Sequence, residues 1–509
     1  MIMKQNTYMY ITLAVMLLFS CDDFLDTPPD KRAELDSESK IAEMLVSAYP
    51  ELLPTMLFEM MSDNVTDNGP LYTDRSNALV SEQAYRYEDV AEPYWDAPVT
   101  TWEKCYEAIA AANHALQAIE QMGSPASLNG SKAEALLCRA FGHFILVNTF
   151  SKAFNPTSSD TDAGIPYIDE PETTVNPIYE RGTVASVYDK INRDIEEALP
   201  LHEDKFQRPA YHFNRRAAYA FAARFNLFYG RWNKTVEYAS VAIGESPGDM
   251  FRDYVALNQL PEVENIAYAY CNSDEPCNFL IIPQTGTLWG RAYPSNRRYA
   301  HNMSKLYDTF RQSFPWGGMV YGGSGTEGLK LWGYDQCVWY PKMLEMFEVT
   351  NPTAGIGYPH TVAIPFTVEE TLACRAEAYV MLEQYSAAAA DLNIFYTQWS
   401  GSVRQFTVAQ IANWYATARY QMESRFGIQQ GTQESLVRAV LAVRRFESVH
   451  TGMRWLDIKR HGITVEHPQR LSQTVDGEPI IIQPYSDLTA VQLPASVVSA
   501  GLPPNPRMN

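Results

Sequence analysis

"NRRAAYAFAARFNLFYGRWNKTVEYASVAIGE", residues 214–245, decides the fold class. A tight "YGRW" break divides two helix-like stretches, which reads as a pair of helices joined by a short turn. The small residues let paired helices approach, and the large ones fill the groove opposite. Working outward, "WEKCYEAIAAANHALQAIEQM" (102–122) places Cys105, Ile109, Ala112, Leu116 and Ile119 at steps of four and three, one face of an α-helix. Gly123, Ser124 and Pro125 end it. A second helix follows in 131–154, with Ser131 as N-cap and Glu134 three residues on.

The unit recurs. Within 214–245, Ala222, Tyr229, Gly230, Trp232 and Ala239 fall where a tetratricopeptide repeat places small and aromatic packing residues. Ala376, Tyr379, Leu382, Tyr385 and Ala388 repeat the pattern. The helical hairpins lie near 102–154, 184–245, 369–399 and 434–462. Their spacing is too irregular for a solenoid. The expected class is mainly α: four tetratricopeptide-like helical pairs form a scaffold, and a large loop-rich insertion carries short strands. Residues 62–100, 155–183 and above all 246–366, rich in Gly, Pro, Tyr and Trp, read as loops and short strands draped over it. Binding residues tend to sit on such loops.

The formal net charge of −20 repels polyanions, so nucleic acid is excluded as a partner class. The 31 Tyr, 22 Phe and 10 Trp supply core and also suit a surface that stacks on flat ligands. None of the seven cysteines falls in a CxxC or a zinc spacing. Cys271 and Cys277, in "CNSDEPC", either close a loop disulfide in an oxidising compartment or stay as buried thiols; spacing leaves both open.

At the front, Met9 to Phe19 is apolar apart from Thr12, too short to span a membrane but long enough for an export signal. Leu18, Phe19 and Ser20 before Cys21 resemble a bacterial lipobox, with Cys21 the lipidated residue. Residues 1–20 are then a signal peptide, 21–40 an acyl anchor and polar tether, and 41–509 a single domain. The acidic residues after Cys21 resemble surface-export signals of Bacteroidota lipoproteins.

Taken in order, "SCDDFLDTPPD", "EMMSDNVTDNG", "AEALLCRAFGHFILVNTF", "RRAAYAFAARFNLFYGRWNKTVEYASVAI", "ETLACRAEAYVMLEQY" and "VRRFESVHTGMRWLDIKRHG" resemble the SusD/RagB family of Bacteroidota outer-membrane lipoproteins. The resemblance implies a non-enzymatic, cell-surface protein. It would bind oligosaccharides and deliver them to a SusC-like TonB-dependent transporter, over which it closes as a lid. Some relatives carry peptides instead. It also implies a ligand site built from an early loop and a later one.

A sugar presents a C–H face to an aromatic ring and hydroxyls to polar side chains. In the early loop the candidates are Asp67, Asn68, Tyr94 and Trp95; in the later one, Trp289, Arg291, Tyr293 and Trp316, with Trp95 and Trp289 foremost. The acidic balance argues against highly sulfated or uronic polymers, which a local cluster such as Arg291, Arg297 and Arg298 could reverse. No cofactor is called for. "DNVTDNG" (63–69) hints at calcium but lacks a full ligand set. "GGSGTEG" lacks the strand and helix a dinucleotide loop needs, His461, Glu466 and His467 lack metal spacing, and "WLDIKR" reads as a basic pair favourable to a helix end. Alternatives are a protein-interaction scaffold and, last, a glycosidase, for which no carboxylate pair is marked out.

Overall fold

The computed structural model describes residues 35–72, 78–91, 93–173, 177–310, 314–315, 328–417 and 420–507. Cys21 with its leader, and Trp316 with most of the glycine-rich loop, lie outside the described residues. Among the described residues no helix is long and apolar enough to cross a membrane.

The scaffold is helical. Pro98–Gln121 packs on Asn129–Phe150, which packs on Val184–Ala198; Arg215–Phe228 packs on Trp232–Ile243, and that helix on Val368–Met381. The latter is flanked by Tyr385–Ser400 and Thr432–Ser448, and Met453–His461 completes the array. Ala222, Ala239, Ala376 and Ala388 are all buried. The "YGRW" break is the turn between Phe228 and Trp232, where Gly230 takes φ +75° and Arg231 N donates to Asn226 O at 2.8 Å.

Two expectations need correction. The second helix begins at Asn129 rather than after Ser131, and Glu134 forms no capping box. It is buried and accepts from Tyr49 Oη at 2.6 Å and from His212 Nδ1 at 2.7 Å. The insertion 246–366 also contains the helices Tyr254–Asn258, Val263–Tyr270, Trp289–Ala292 and Met303–Phe310. Each is too short to show a helical period above the surrounding aromatic residues.

The insertion's main sheet has three antiparallel strands in the order Asn278–Gln284, Ile356–Thr367, Met346–Asn351. The central strand runs directly into the scaffold: Thr367 caps the Val368–Met381 helix by accepting from Glu370 N at 3.1 Å. One hydrophobic core therefore runs from Ile41 to Leu502 and includes residues from both halves. Cys271 and Cys277 are buried free thiols, not a disulfide.

"WLDIKR" does lie at a helix end, with Lys459, Arg460 and His461 in the last turn of Met453–His461, but that end is interior. Asp457, Lys459 and Arg460 are all buried. Lys459 Nζ donates to the carbonyls of Asn148 at 2.6 Å and Ser151 at 2.8 Å, capping the end of Asn129–Phe150. Burial lowers this ammonium to about 7. In the unfolded chain a lysine titrates near ~10.4. Between those values this group holds fewer protons in the folded protein, so its contribution to stability rises with pH from 7 upward. We expect Lys459→Met to remove up to about 1.4 kcal/mol per pH unit of that rise between pH 7 and 9. Urea denaturation across this window checks it, and an unchanged slope would contradict it.

Candidate functional site

The turn before the first long scaffold helix presents two exposed aromatic residues, Tyr94 and Trp95. Pro98 occupies the first helical turn, and Asp96, just ahead of the Ala97 cap, takes the left-handed φ of +60°. Asp tolerates this conformation better than most residues. Its carboxylate accepts from Thr287 Oγ1 and, at 2.9 Å, from Leu288 N, tying the early loop to the later one. Ala97 N and Thr100 Oγ1 both donate to Tyr94 O, at 3.1 and 3.0 Å. Held in this way, Tyr94 is 49% and Trp95 45% exposed. With Pro93, Val99, Thr100 and Glu103 they border an open hollow of about 290 Å³. Large exposed rings on a fixed backbone, with a hydroxyl and a carboxylate beside them, can hold an apolar face and hydrogen-bond its rim.

The other candidates have different roles. Trp289 is 2% exposed. Its Nε1 donates to His450 O at 2.9 Å, the Arg297 guanidinium lies 5.5 Å from its ring, and Tyr293 stands 5.3 Å away. The ring is core and offers no face for stacking. Tyr293 is equally buried; its hydroxyl accepts from Met343 N at 3.0 Å and its ring stacks on His450 at 4.8 Å. At Gly290 a Cβ would lie 2.3 Å from Thr361 and 2.5 Å from Met343 O, which shows how tightly this one-turn helix is pressed on the sheet. Arg291 is exposed but paired with Glu345 at 2.8 Å. Trp289 and Tyr293 thus support the loop that anchors Asp96 and do not line a ligand site themselves.

Asp67 and Asn68 lie on a separate, polar cleft of about 600 Å³. Asp67 accepts from Arg298 at 2.9 and 3.1 Å, from Gly69 N at 2.8 Å and from Arg470 N at 3.1 Å. Asn68 donates to the carbonyls of Arg297 and Gln336 and accepts from Asn302. Both form the cleft's framework. Asp63 is likewise held, by Arg454 at 2.9 Å and Arg445 at 3.3 Å. Burial opposes its ionisation, but these two guanidinium groups keep its carboxyl well below the usual range. The two carboxylates of "DNVTDNG" are therefore both paired with arginines. Among the described residues no group of three His, Cys, Asp or Glu is placed to hold a metal ion.

The polar cleft continues into an inner lobe of about 250 Å³, with Lys305 and Asp308 lining both. The inner lobe also takes Trp414, Tyr420, Arg438, Arg445 and Arg454. Sequence reasoning does not find this lobe, because its residues come from distant segments that share no motif.

Comparison with known proteins agrees with this architecture. Residues 23–227 match a SusD-like family model described as "Starch-binding associating with outer membrane". A SusD superfamily protein of Bacteroides fragilis superimposes with a TM-score of 0.62 at 17% identity, covering 92% of this chain and 98% of that one. A Bacteroides vulgatus protein gives 0.66 at 17% identity, over 93% and 99%. A SusD-like carbohydrate binding protein, also of Bacteroides vulgatus, gives 0.58 at 15% identity, over 91% and 96%. Among curated proteins none matches this chain. The chain has the fold of the SusD superfamily, and its resemblance to the SusD/RagB family holds in sequence over residues 23–227.

Proposed function

We propose that this protein is a cell-surface glycan receptor. It captures oligosaccharides on the Tyr94–Trp95 shelf and delivers them to a SusC-like TonB-dependent transporter in the outer membrane, to which Cys21 tethers it by acyl chains. No bond of the glycan is made or broken. The observation that carries the reading is the pair of half-exposed rings fixed by Asp96 on a rigid turn. Exposed rings bordering a hollow, with polar groups beside them, suit a ligand that presents an apolar face and a hydroxyl rim. The SusD-like family model and the carbohydrate-binding relative of the same fold support it.

The test is calorimetric titration of the chain from residue 22 onward against a panel of neutral oligosaccharides, with reducing-end release followed in parallel. Saturable binding without release is the expected result. Turnover of any saccharide would make the protein a glycosidase. Binding of peptides in place of glycans would move it to the peptide-carrying readings of the same fold.

A further inference from the structure

The inner lobe of the polar cleft holds hydrogen-bond donors without acceptors. Arg454 is fully buried, and two of its nitrogens hold Asp63 at 2.9 Å, yet its Nη1 has no partner among the described residues. The buried Tyr420 hydroxyl also has no partner among the described residues. The ring below that hydroxyl is flanked by guanidinium groups, Arg454 at 5.1 Å and Arg438 at 5.5 Å. Lys305, half-buried, also lines the lobe. Burial and the neighbouring Arg445 lower its pKa, while the carboxylates of Asp63, Asp308 and Glu466 act to raise it.

The nearby acids leave Arg454 Nη1 and the Tyr420 hydroxyl without an acceptor among the described residues. Asp63 is committed to Arg445 and Arg454, and Glu434 to Arg438 at 2.6 Å. Asp308 and Glu466 also line the lobe. Unmatched buried donors cost free energy unless something supplies the acceptor. At the lobe's edge Trp414 is 38% exposed, and through Lys305 and Asp308 the lobe opens into the wider cleft.

We propose that this lobe is a subsite for an anionic substituent on a saccharide, a carboxylate or a sulfate ester, whose oxygens accept from Lys305, Arg454 and Tyr420 while Trp414 faces the ring that carries it. The proposal rests on the glycan-binding reading and adds to it a second contact, in the cleft separate from the Tyr94–Trp95 shelf, for acidic glycans. It replaces the acidic-glycan site suggested by Arg291, Arg297 and Arg298: Arg291 is taken up by Glu345, Arg298 by Asp67, and Arg297 lies buried over Trp289.

The experiment titrates the full mature chain with trigalacturonate and its methyl ester, and with a sulfated chondroitin disaccharide and its unsulfated form. Inorganic sulfate is the control. Charge-assisted hydrogen bonds predict that at least one acidic form binds about tenfold or more tightly than its neutral counterpart. Which pair shows the preference separates carboxylate from sulfate ester. Lys305→Gln should abolish the preference and leave the neutral sugars unaffected. Tyr420→Phe, which removes only a hydroxyl, should reduce it several-fold. Equal affinity for acidic and neutral forms would overturn the proposal. So would an unchanged preference in a folded Lys305→Gln, or sulfate alone binding as tightly as the saccharides, an adventitious ion only. If the neutral sugars still bind in those cases, glycan recognition stands and only this subsite fails.

Discussion

Glu377→Gln should lower the unfolding free energy by about 3–5 kcal/mol, the cost of leaving a buried charge without its partner. Glu377 is fully buried on the Val368–Met381 helix. It accepts a two-point contact from Arg460, 2.9 Å to Oε1 and 3.0 Å to Oε2, and a third bond from His461 Nε2 at 3.0 Å. Asp457 accepts from Arg460 at 2.9 Å and from Arg444 at 2.9 and 3.0 Å. Two arginines and two carboxylates thus join the helices Val368–Met381, Thr432–Ser448 and Met453–His461 inside the core. Burial opposes ionisation of Glu377, yet Arg460 and His461 hold its carboxyl well below the ordinary range. Its contribution is therefore complete above the unfolded carboxylate pKa and is lost as pH falls through the folded value. The glutamine keeps the shape and removes the charge, so Arg460 keeps only Asp457 as its close anion. Urea denaturation at pH 7 checks the figure. A loss under about 1 kcal/mol, the range of solvated pairs, would show that water reaches the network.

Trp95→Ala should weaken binding of a cognate oligosaccharide by roughly 30-fold, about 2 kcal/mol, while stability changes by less than about 0.5 kcal/mol. The two halves of this expectation have separate causes. The indole is half exposed, so truncation opens no cavity in the core. The turn is held by Asp96, Ala97 and Thr100 through bonds that do not involve the ring. Trp289→Ala should do the reverse. Trp289 is buried among Tyr293, Arg297 and His450, so its loss destabilises by about 3–5 kcal/mol and weakens ligand binding only through the loosened loop. Comparing the two variants separates the residue that touches the ligand from the one that supports its platform.

The scaffold was legible because helices repeat every 3.6 residues whatever surrounds them. Ala222, Ala239 and Ala376 mark the helix contacts in sequence, and all are buried in the structure. The loop half was not legible, since there the decisive contacts are non-local. Trp95 and Trp289 look alike in sequence, each beside polar neighbours. What separates them is that Arg297, Tyr293 and His450 close over one ring, while Asp96 turns the other outward. Asp67 and Asn68 resemble ligand groups until Arg298 and Asn302 are brought against them. "WLDIKR" is the charged helix end it resembles, but nothing local shows that neighbouring helices cover it. The inner lobe could not be read at all: Lys305, Tyr420 and Arg454 meet only in the folded chain.

The most direct measurement is a crystal structure of the protein soaked with an oligosaccharide that calorimetry shows to bind. Ring-stacking capture predicts the C–H face of one sugar ring in van der Waals contact with the Trp95 indole, with Tyr94 and Glu103 around the same or the next ring. A bound saccharide that leaves both Tyr94 and Trp95 uncovered would contradict it.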